Sequence, residues 1–222
     1  MLKLVHFSEA DLLHYVARQT DHFFPDGLTP DARQRLLPHL DTALKRLEHC
    51  IGAVRMWTPG QFDHLHSSQY TTFLYYLANT VWKATGDRML CNKLFGLNKA
   101  LNGIDLFYEI EMPAVFFIGH SVGIVLAKAT YGEYLVLYQN STVGKNHGVA
   151  PVLGRGVVMY PNSAIIGRCE VGDASVLSQG TSLVNTSTPG HCLVFNASPE
   201  PGVICKPARH DILADIFRQP AI

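Results

Sequence analysis

The chain has 222 residues, 47% of them hydrophobic, and its 18 Lys and Arg are balanced by 18 Asp and Glu. This composition excludes global disorder, and the zero formal charge removes the electrostatic case for nucleic acid or an acidic membrane as a partner. The length allows one large domain or two small ones, with enough residues to bury a core.

Hydropathy and cysteine usage bear on where the protein works. No run of eighteen apolar residues occurs, so we expect no membrane-spanning helix. The first fifteen residues lack the uninterrupted apolar stretch of a signal peptide. The cysteines are odd in number and widely spaced, which is typical of reduced thiols: Cys50, Cys91, Cys169, Cys192 and Cys205. We expect a cytoplasmic protein.

Helical spacing dominates the first hundred residues. Ser8 with Asp11 predicts a capping box before an amphipathic helix, and Thr29 followed by Pro30 predicts a second helix start. From Leu40 onward apolar residues recur at the spacing of one helix face.

Two more helices are predicted before the pattern changes. One covers residues 69–84 and is stopped by Gly86, and the next covers residues 87–100 and ends near Gly103. The first of these is apolar on nearly every side, which predicts that it is buried, either in a core or between subunits.

A six-residue repeat is the strongest pattern in the second half. Cut from Leu153, the sequence is LGRGVV, MYPNSA, IIGRCE, VGDASV, LSQGTS, LVNTST. The first position is always aliphatic or Met: Leu153, Met159, Ile165, Val171, Leu177, Leu183. The fifth is always small: Val157, Ser163, Cys169, Ser175, Thr181, Ser187. This pattern predicts a parallel β-helix in which three hexapeptides form one triangular coil.

The repeat continues upstream with interruptions. Hexapeptides begin at Ile118, Ile124 and Leu137, with a slip near Tyr131. Ten residues, instead of six, separate Val143 from Leu153. We therefore predict a loop pushed out of a corner within residues 145–151, a place where repeat folds often bind ligands.

The repeat stops at the end of the β-helix. Pro189 and Gly190 break the frame, and residues 192–205 are predicted to form a last irregular turn. Residues 208–218 are predicted to form a short helix that caps the exposed end of the prism, because an uncapped coil offers unpaired strand edges.

Taken together, these features resemble the serine acetyltransferases, members of the hexapeptide-repeat acyltransferase superfamily. Gly119–Val125 (GHSVGIV) resembles the family's Asp-His-Ala-Thr-Gly-Ile-Val segment, which carries the catalytic histidine. Gly154–Thr181 resembles its later coils, and Val203–Pro207 (VICKP) resembles its terminal Gly-Lys-Pro. The similarity covers about residues 65–207.

The resemblance implies an α+β fold: an N-terminal α-helical domain, a left-handed parallel β-helix and a short C-terminal helix. The expected boundaries are residues 1–108, 109–206 and 207–222. The resemblance also implies transfer of an acyl group from acetyl-CoA and assembly as a homotrimer or a dimer of trimers, with each active site between two prisms.

His120 is the expected general base, because acyl transfer to a hydroxyl needs a base with a pKa near neutral. The family's Asp-Ile-His-Pro motif, whose aspartate orients that histidine, is replaced here by residues 109–113 (EIEMP). Glu111 is the preferred orienting carboxylate, Glu109 is the alternative, and Asp105 is a third choice. The aspartate before the family's histidine is Gly119 here, and Val149–Ala150 stand where the family's loop carries an Arg-His pair.

Further site residues follow from the resemblance. Asp63 and His147 are expected to contact the acceptor, a small polar molecule that is either serine or a sugar. For the coenzyme, Lys206 and Lys145 are candidate phosphate or CoA contacts. Backbone amides around Gly180 and Ser163 are expected to hold the pantetheine arm. No metal is expected.

Two other classes of function remain as alternatives. A β-helix metalloenzyme of the carbonic anhydrase type needs three histidines around one metal, and the β-helix offers only His120 and His147, with His191 after the last repeat. A non-catalytic scaffold is suggested by the missing aspartate and the missing Arg-His pair.

Overall fold

The computed structural model describes residues 2–198 and 202–218, and within them a helical domain precedes a triangular solenoid of about five coils. The helices of this part of the chain are α1 (Glu9–Phe23), α2 (Ala32–Ala53), α3 (Ser67–Thr85), α4 (Arg88–Asn102) and α5 (Ile212–Ile216). The strands are β1 (Lys3–Leu4), β2 (Gln61–Phe62), β3 (Asp105–Leu106), β4 (Phe116–Ile118), β5 (Val125–Leu126), β6 (Thr130–Tyr131), β7 (Leu135–Leu137), β8 (Thr142–Gly144), β9 (Val152–Leu153), β10 (Val158–Met159), β11 (Ala164–Ile166), β12 (Glu170–Val171), β13 (Val176–Leu177), β14 (Ser182–Val184), β15 (Cys192–Asn196) and β16 (Val203–Pro207). None of these helices combines the length and apolar character that a membrane span requires.

The helical domain follows the predicted helix starts and stops closely. Ser8 caps α1 and forms the capping box with Asp11. The second helix begins at Ala32, slightly later than predicted, and continues through Pro38 without a break. Helices α3 and α4 end at glycines in the left-handed conformation, Gly86 and Gly103, as predicted.

Helix α3 is the centre of the molecule. Its side chains are buried against α2, α4 and the first coil, which explains its apolar character on all sides. The Tyr75 and Tyr76 hydroxyls donate to the carbonyls of Ile110 and Ala114, and Asn79 donates to that of Tyr108. This predicted buried helix therefore lies in the core of the chain itself.

The solenoid has three faces, visited in the order face 1, face 2, face 3. Face 1 holds β4, β7, β10, β13 and β15 in parallel, with β16 antiparallel at its edge. Face 2 holds β3, β5, β8, β11 and β14, and face 3 holds β6, β9 and β12. Because β3 pairs with β5, the solenoid begins at Asp105, slightly before the predicted boundary.

Parallel pairing aligns the hexapeptides as the repeat predicts. The first positions are all inward and at most 2% exposed, from Leu153 to Leu183. Five of the small fifth positions are also buried, and Ser187 is the exception. Thr188 takes the next inward place opposite Val171, because the step from Leu183 is one residue short.

One of the hexapeptides predicted before Leu153 is wrong, the one that begins at Ile124. The inward residue after Ile118 is Leu126, which pairs with Val143, and not Ile124. The corner between faces 1 and 2 therefore contains two more residues in the first coil than in the next. His120 lies in this enlarged turn.

The predicted loop at residues 145–151 is confirmed. It leaves the corner between β8 and β9 as a small hairpin, in which Asn146 and Val149 exchange backbone hydrogen bonds. His147 and Gly148 at its tip both have positive φ, the combination of a type I′ turn.

The C-terminal end differs from the prediction. Instead of one irregular turn, the described residues of segment 192–205 supply β15 and most of β16, which pair antiparallel at the edge of face 1. The short helix α5 does not cover the open end of the prism either. It runs back to α2, where Phe217 pairs with Val54 and the Arg218 guanidinium donates to four backbone carbonyls, those of Gly52, Val54, Arg55 and Trp57.

The returning segment explains why face 1 is closed to solvent. Val136, Val158 and Val176 point outward from this face, yet each is at most 4% exposed. Leu213 and Phe217 of the returning segment are buried, and Phe217 packs edge-on against Tyr134. Apolar contact with face 1 therefore holds the segment in place.

Candidate active site

His120 is an exposed side chain on the enlarged turn of the first coil. Among the residues that the structure describes, no hydrogen bond or ion pair holds its imidazole. The ring is therefore free to meet a substrate, and its position is set by the backbone of the turn.

Hydrogen bonds to two helices fix the backbone on either side of His120. The Ser68 hydroxyl, in the first turn of α3, donates to the Gly119 carbonyl at 3.1 Å. The Ser121 hydroxyl donates to the Asn102 carbonyl at the end of α4, at 2.6 Å. The Ser68 hydroxyl therefore belongs to the His120 turn and does not cap α3.

The two glutamates predicted to orient His120 are engaged elsewhere. Glu111 forms an ion pair with Lys83, and Glu109 forms one with Lys128 at 2.6 Å. Lys83 and Ser68 lie fifteen residues apart on α3, which corresponds to about 22 Å along the helix axis. Because Ser68 contacts the His120 turn and Lys83 contacts Glu111, the chain does not bring Glu111 and His120 together.

Asp63 lies on the same side of the molecule as the His120 turn, in the segment that leads into α3. Its carboxylate accepts a hydrogen bond from the Leu65 amide at 2.9 Å, and its own amide donates to Gln69. This Asx turn positions the start of α3 and hence Ser68. Asp63 and His147 are the predicted acceptor contacts. Of the two, Asp63 is the one connected to the His120 turn, through the first turn of α3.

His147 and Lys145 lie on the extruded hairpin and are exposed. The hairpin leaves the corner between faces 2 and 3, whereas His120 lies at the corner between faces 1 and 2. The three residues of β8 separate these corners, so the backbones at the two corners are about 10 Å apart. Within one chain the two histidines stand at opposite edges of face 2.

The residues predicted to bind CoA fall into two groups. Lys206 is exposed on β16, with its ammonium over the Phe195 ring at 5.6 Å, and it remains available to an anion. The Ser163 and Gly180 amides, in contrast, donate to the carbonyls of Tyr160 and Pro161. The prism already uses these two amides, and binding of the pantetheine arm by other backbone amides around them stays a prediction.

Sequence reasoning missed a pair of tyrosines beside His120. Tyr138 and Tyr160 occupy the position after the inward residue of face 1 in successive coils, and Gly119 occupies it in the first coil. The tyrosine rings stack with centroids 5.4 Å apart and an interplanar angle of 7°. The hexapeptide alignment contained this signal, since it places both tyrosines in one column with Gly119.

The described residues contain no group of three or more His, Cys, Asp or Glu side chains arranged to hold a metal ion. The five cysteines are free thiols, four of them buried.

Comparison with known proteins gives two relatives in sequence and many in structure. No family model matches the chain. A serine acetyltransferase of Mycobacterium tuberculosis is 24% identical over 123 residues, 53% of each protein. A Schizosaccharomyces pombe relative named for the same activity is 23% identical over 136 residues, 59% of this chain and 50% of the relative. The chain thus spans about half the length of the relatives it matches.

Solved serine acetyltransferases match over most of the chain. A truncated apoenzyme has a TM-score of 0.69 at 16% identity, covering 90% of this chain and 86% of its own. The Neisseria gonorrhoeae enzyme in complex with serine has a TM-score of 0.66 at 16% identity, covering 91% and 85%. The predicted α+β fold with a left-handed parallel β-helix is therefore confirmed, and the chain shares this fold with the solved serine acetyltransferases.

Proposed function

We propose that the protein is an acetyl-CoA-dependent O-acyltransferase in which His120 acts as the general base. The observation that carries this proposal is the exposed His120, clamped by α3 and α4 on an enlarged corner of a serine acetyltransferase-type prism. The sequence relatives support the same reaction class, since both are named as serine acetyltransferases.

In the proposed reaction, the neutral His120 imidazole accepts the proton of the acceptor hydroxyl as its oxygen attacks the thioester carbonyl. The C–S bond then breaks, and the imidazolium returns the proton to the departing thiolate. No carboxylate of this chain contacts the His120 ring within the described residues, so the turn and the bound substrates are left to orient it.

Acetyl-CoA is proposed as the acyl donor, and a solved serine acetyltransferase in complex with CoA shares the fold with a TM-score of 0.67. Lys206 and Lys145 are the proposed phosphate contacts, because both ammonium groups are exposed. They lie on different faces of the prism, so one CoA molecule is expected to meet them from two neighbouring chains.

A homotrimer, or a dimer of trimers, is proposed on the surface chemistry of face 2. The outward residues of its last four strands carry no charge: Val125, Thr142, Gly144, Ala164, Ile166, Ser182 and Val184. Val125 and Val184 are 45% and 50% exposed. Such a flat, uncharged surface suits a second copy, and it would carry the neighbour's hairpin toward His120.

The experiment that tests the reaction class is release of free CoA thiol from acetyl-CoA, measured with L-serine, amino sugars and sugar nucleotides as separate acceptors. We expect turnover with at least one acceptor, and CoA binding in a calorimetric titration. CoA binding without turnover over the whole panel would favour the scaffold alternative. Absence of both would refute the proposal.

A further inference from the structure

The tyrosine pair forms an aromatic surface against Gly119, the residue before His120. A Cβ atom added at Gly119 would lie 2.5 Å from Cε1 of Tyr138 and 3.4 Å from Phe117, so the Tyr138 ring occupies the space of a side chain at this position. In the family that the chain resembles, this position carries an aspartate. Here an aromatic ring stands where that carboxylate would be.

The aromatic surface continues down the same edge of the prism. Tyr138 and Tyr160 are both partly exposed and stack almost parallel, while Ser178 takes the same position in the following coil and ends the stack. Phe117 meets Tyr138 edge-on at 6.3 Å. Burial, with a smaller contribution from Tyr160, raises the pKa of Tyr138, so its phenol is neutral at physiological pH.

Neutral amides border this surface. Asn140 and Asn162 lie two residues after the tyrosines, are exposed, and are joined by a 2.9 Å hydrogen bond from one amide to the other. The four turns of this edge, residues 119–124, 138–141, 160–163 and 178–181, contain no Lys, Arg, Asp or Glu. The edge beside His120 therefore offers flat apolar rings and uncharged hydrogen-bonding groups.

These properties discriminate between acceptors. An amino acid carries an ammonium and a carboxylate, which are costly to desolvate without opposite charges. A sugar ring is uncharged, has an apolar C–H face that packs on an aromatic ring, and has hydroxyls that bond to amides. Resting on the proposed acyl transfer, we propose that the acceptor is a hydroxyl of a carbohydrate ring that stacks on Tyr138 and Tyr160.

The test compares acceptors of the same hydroxyl chemistry and different shape. The probes are the methyl glycosides of glucose, galactose, mannose and N-acetylglucosamine, with sorbitol as a ring-free polyol and L-serine as the amino acid. Acetyl-CoA consumption gives kcat/KM for each. We expect transfer to at least one glycoside, with kcat/KM at least tenfold above sorbitol and L-serine.

Variants then test the stacking itself. Tyr138→Ala is expected to raise the acceptor KM about fivefold to tenfold, the effect of losing one stacked ring, with the KM for acetyl-CoA unchanged. Tyr138→Phe keeps the ring and should retain the wild-type acceptor KM, which separates stacking from a role of the hydroxyl. Tyr134→Ala, at the opposite end of β7, is the matched control and should not change the acceptor KM.

The failures of the two proposals are distinguishable. Efficient transfer to L-serine, with the same kinetics in Tyr138→Ala, would overturn the carbohydrate inference and leave the acyltransferase standing. Equal kcat/KM for sorbitol and the best glycoside would overturn it as well. An absence of both acyl transfer and CoA binding would refute the acyltransferase and the inference together.

Discussion

The Ser68 hydroxyl donates a hydrogen bond of 3.1 Å to the Gly119 carbonyl and so joins the first turn of α3 to the residue before His120. On the other side of the turn, Ser121 is bonded to the end of α4. The helical domain therefore positions the proposed catalytic base. An isolated prism would lose both contacts.

Ser68→Ala tests this coupling. Loss of the hydrogen bond is expected to cost about 1 kcal/mol of turn stability and to lower kcat several-fold, while the KM for acetyl-CoA stays unchanged. Ser67→Ala is the matched control, because Ser67 is the exposed neighbour in the same helical turn. Equal kcat values for both variants would show that the contact does not position His120.

Gly119→Ala tests the packing of Tyr138 against the turn. The added methyl group would overlap the Tyr138 ring, so we expect a loss of about 1–3 kcal/mol in the free energy of unfolding, measured by urea denaturation. The same substitution in a Tyr138→Ala background should cost much less, because the ring is gone. Additive losses in the double variant would contradict this packing.

Two buried thiols predict a stability change in alkali. Burial raises the pKa of Cys50 to about 11 and that of Cys91 to about 12, from an ordinary 9.0. Above pH 9 the unfolded chain loses these protons while the folded chain keeps them, so unfolding becomes easier as pH rises. Each thiol is expected to remove about 1 kcal/mol between pH 9 and 10.

Urea unfolding at several pH values checks this prediction. The pH is kept below 10 because buried tyrosines add a similar effect at higher pH. The double variant Cys50→Ala with Cys91→Ala should show a flatter dependence on pH than the wild type. An unchanged slope would mean that the two thiols are not the source.

Val184→Asp tests the proposed assembly through face 2. A charge within an uncharged contact is costly to bury, so this variant is expected to be monomeric by light scattering while the wild type is trimeric. Val152→Asp is the control, because Val152 is similarly exposed, at 47%, on face 3. A Val184→Asp variant with the mass of the wild type would exclude face 2 as the interface.

Sequence periodicity predicted the elements in which buried residues recur at a regular spacing. The inward column from Leu153 to Leu183 and the extruded loop before Val152 follow directly from a count of six residues, because each coil repeats the same contacts. The buried helix α3 was likewise evident from its apolar residues. Residue spacing alone therefore predicts structure where the same environment recurs at a constant interval along the chain.

The parts that escaped prediction depend on contacts between distant segments. Nothing in the sequence near Arg218 indicates that it reaches the carbonyls at the end of α2. The lysine partners of Glu109 and Glu111 are 19 and 28 residues away, so their ion pairs replaced the expected contact with His120. The two extra residues in the His120 turn were hidden because Ile124 satisfies the hexapeptide pattern without occupying its inward position.

His120 is the proposed general base, and acetyl transfer by His120→Ala tests that role most directly. Product formation from acetyl-CoA with the best acceptor should fall at least about a hundredfold, with CoA binding and the melting temperature retained. His49→Ala, an exposed histidine on α2, should match the wild type. Wild-type turnover by His120→Ala would contradict the account.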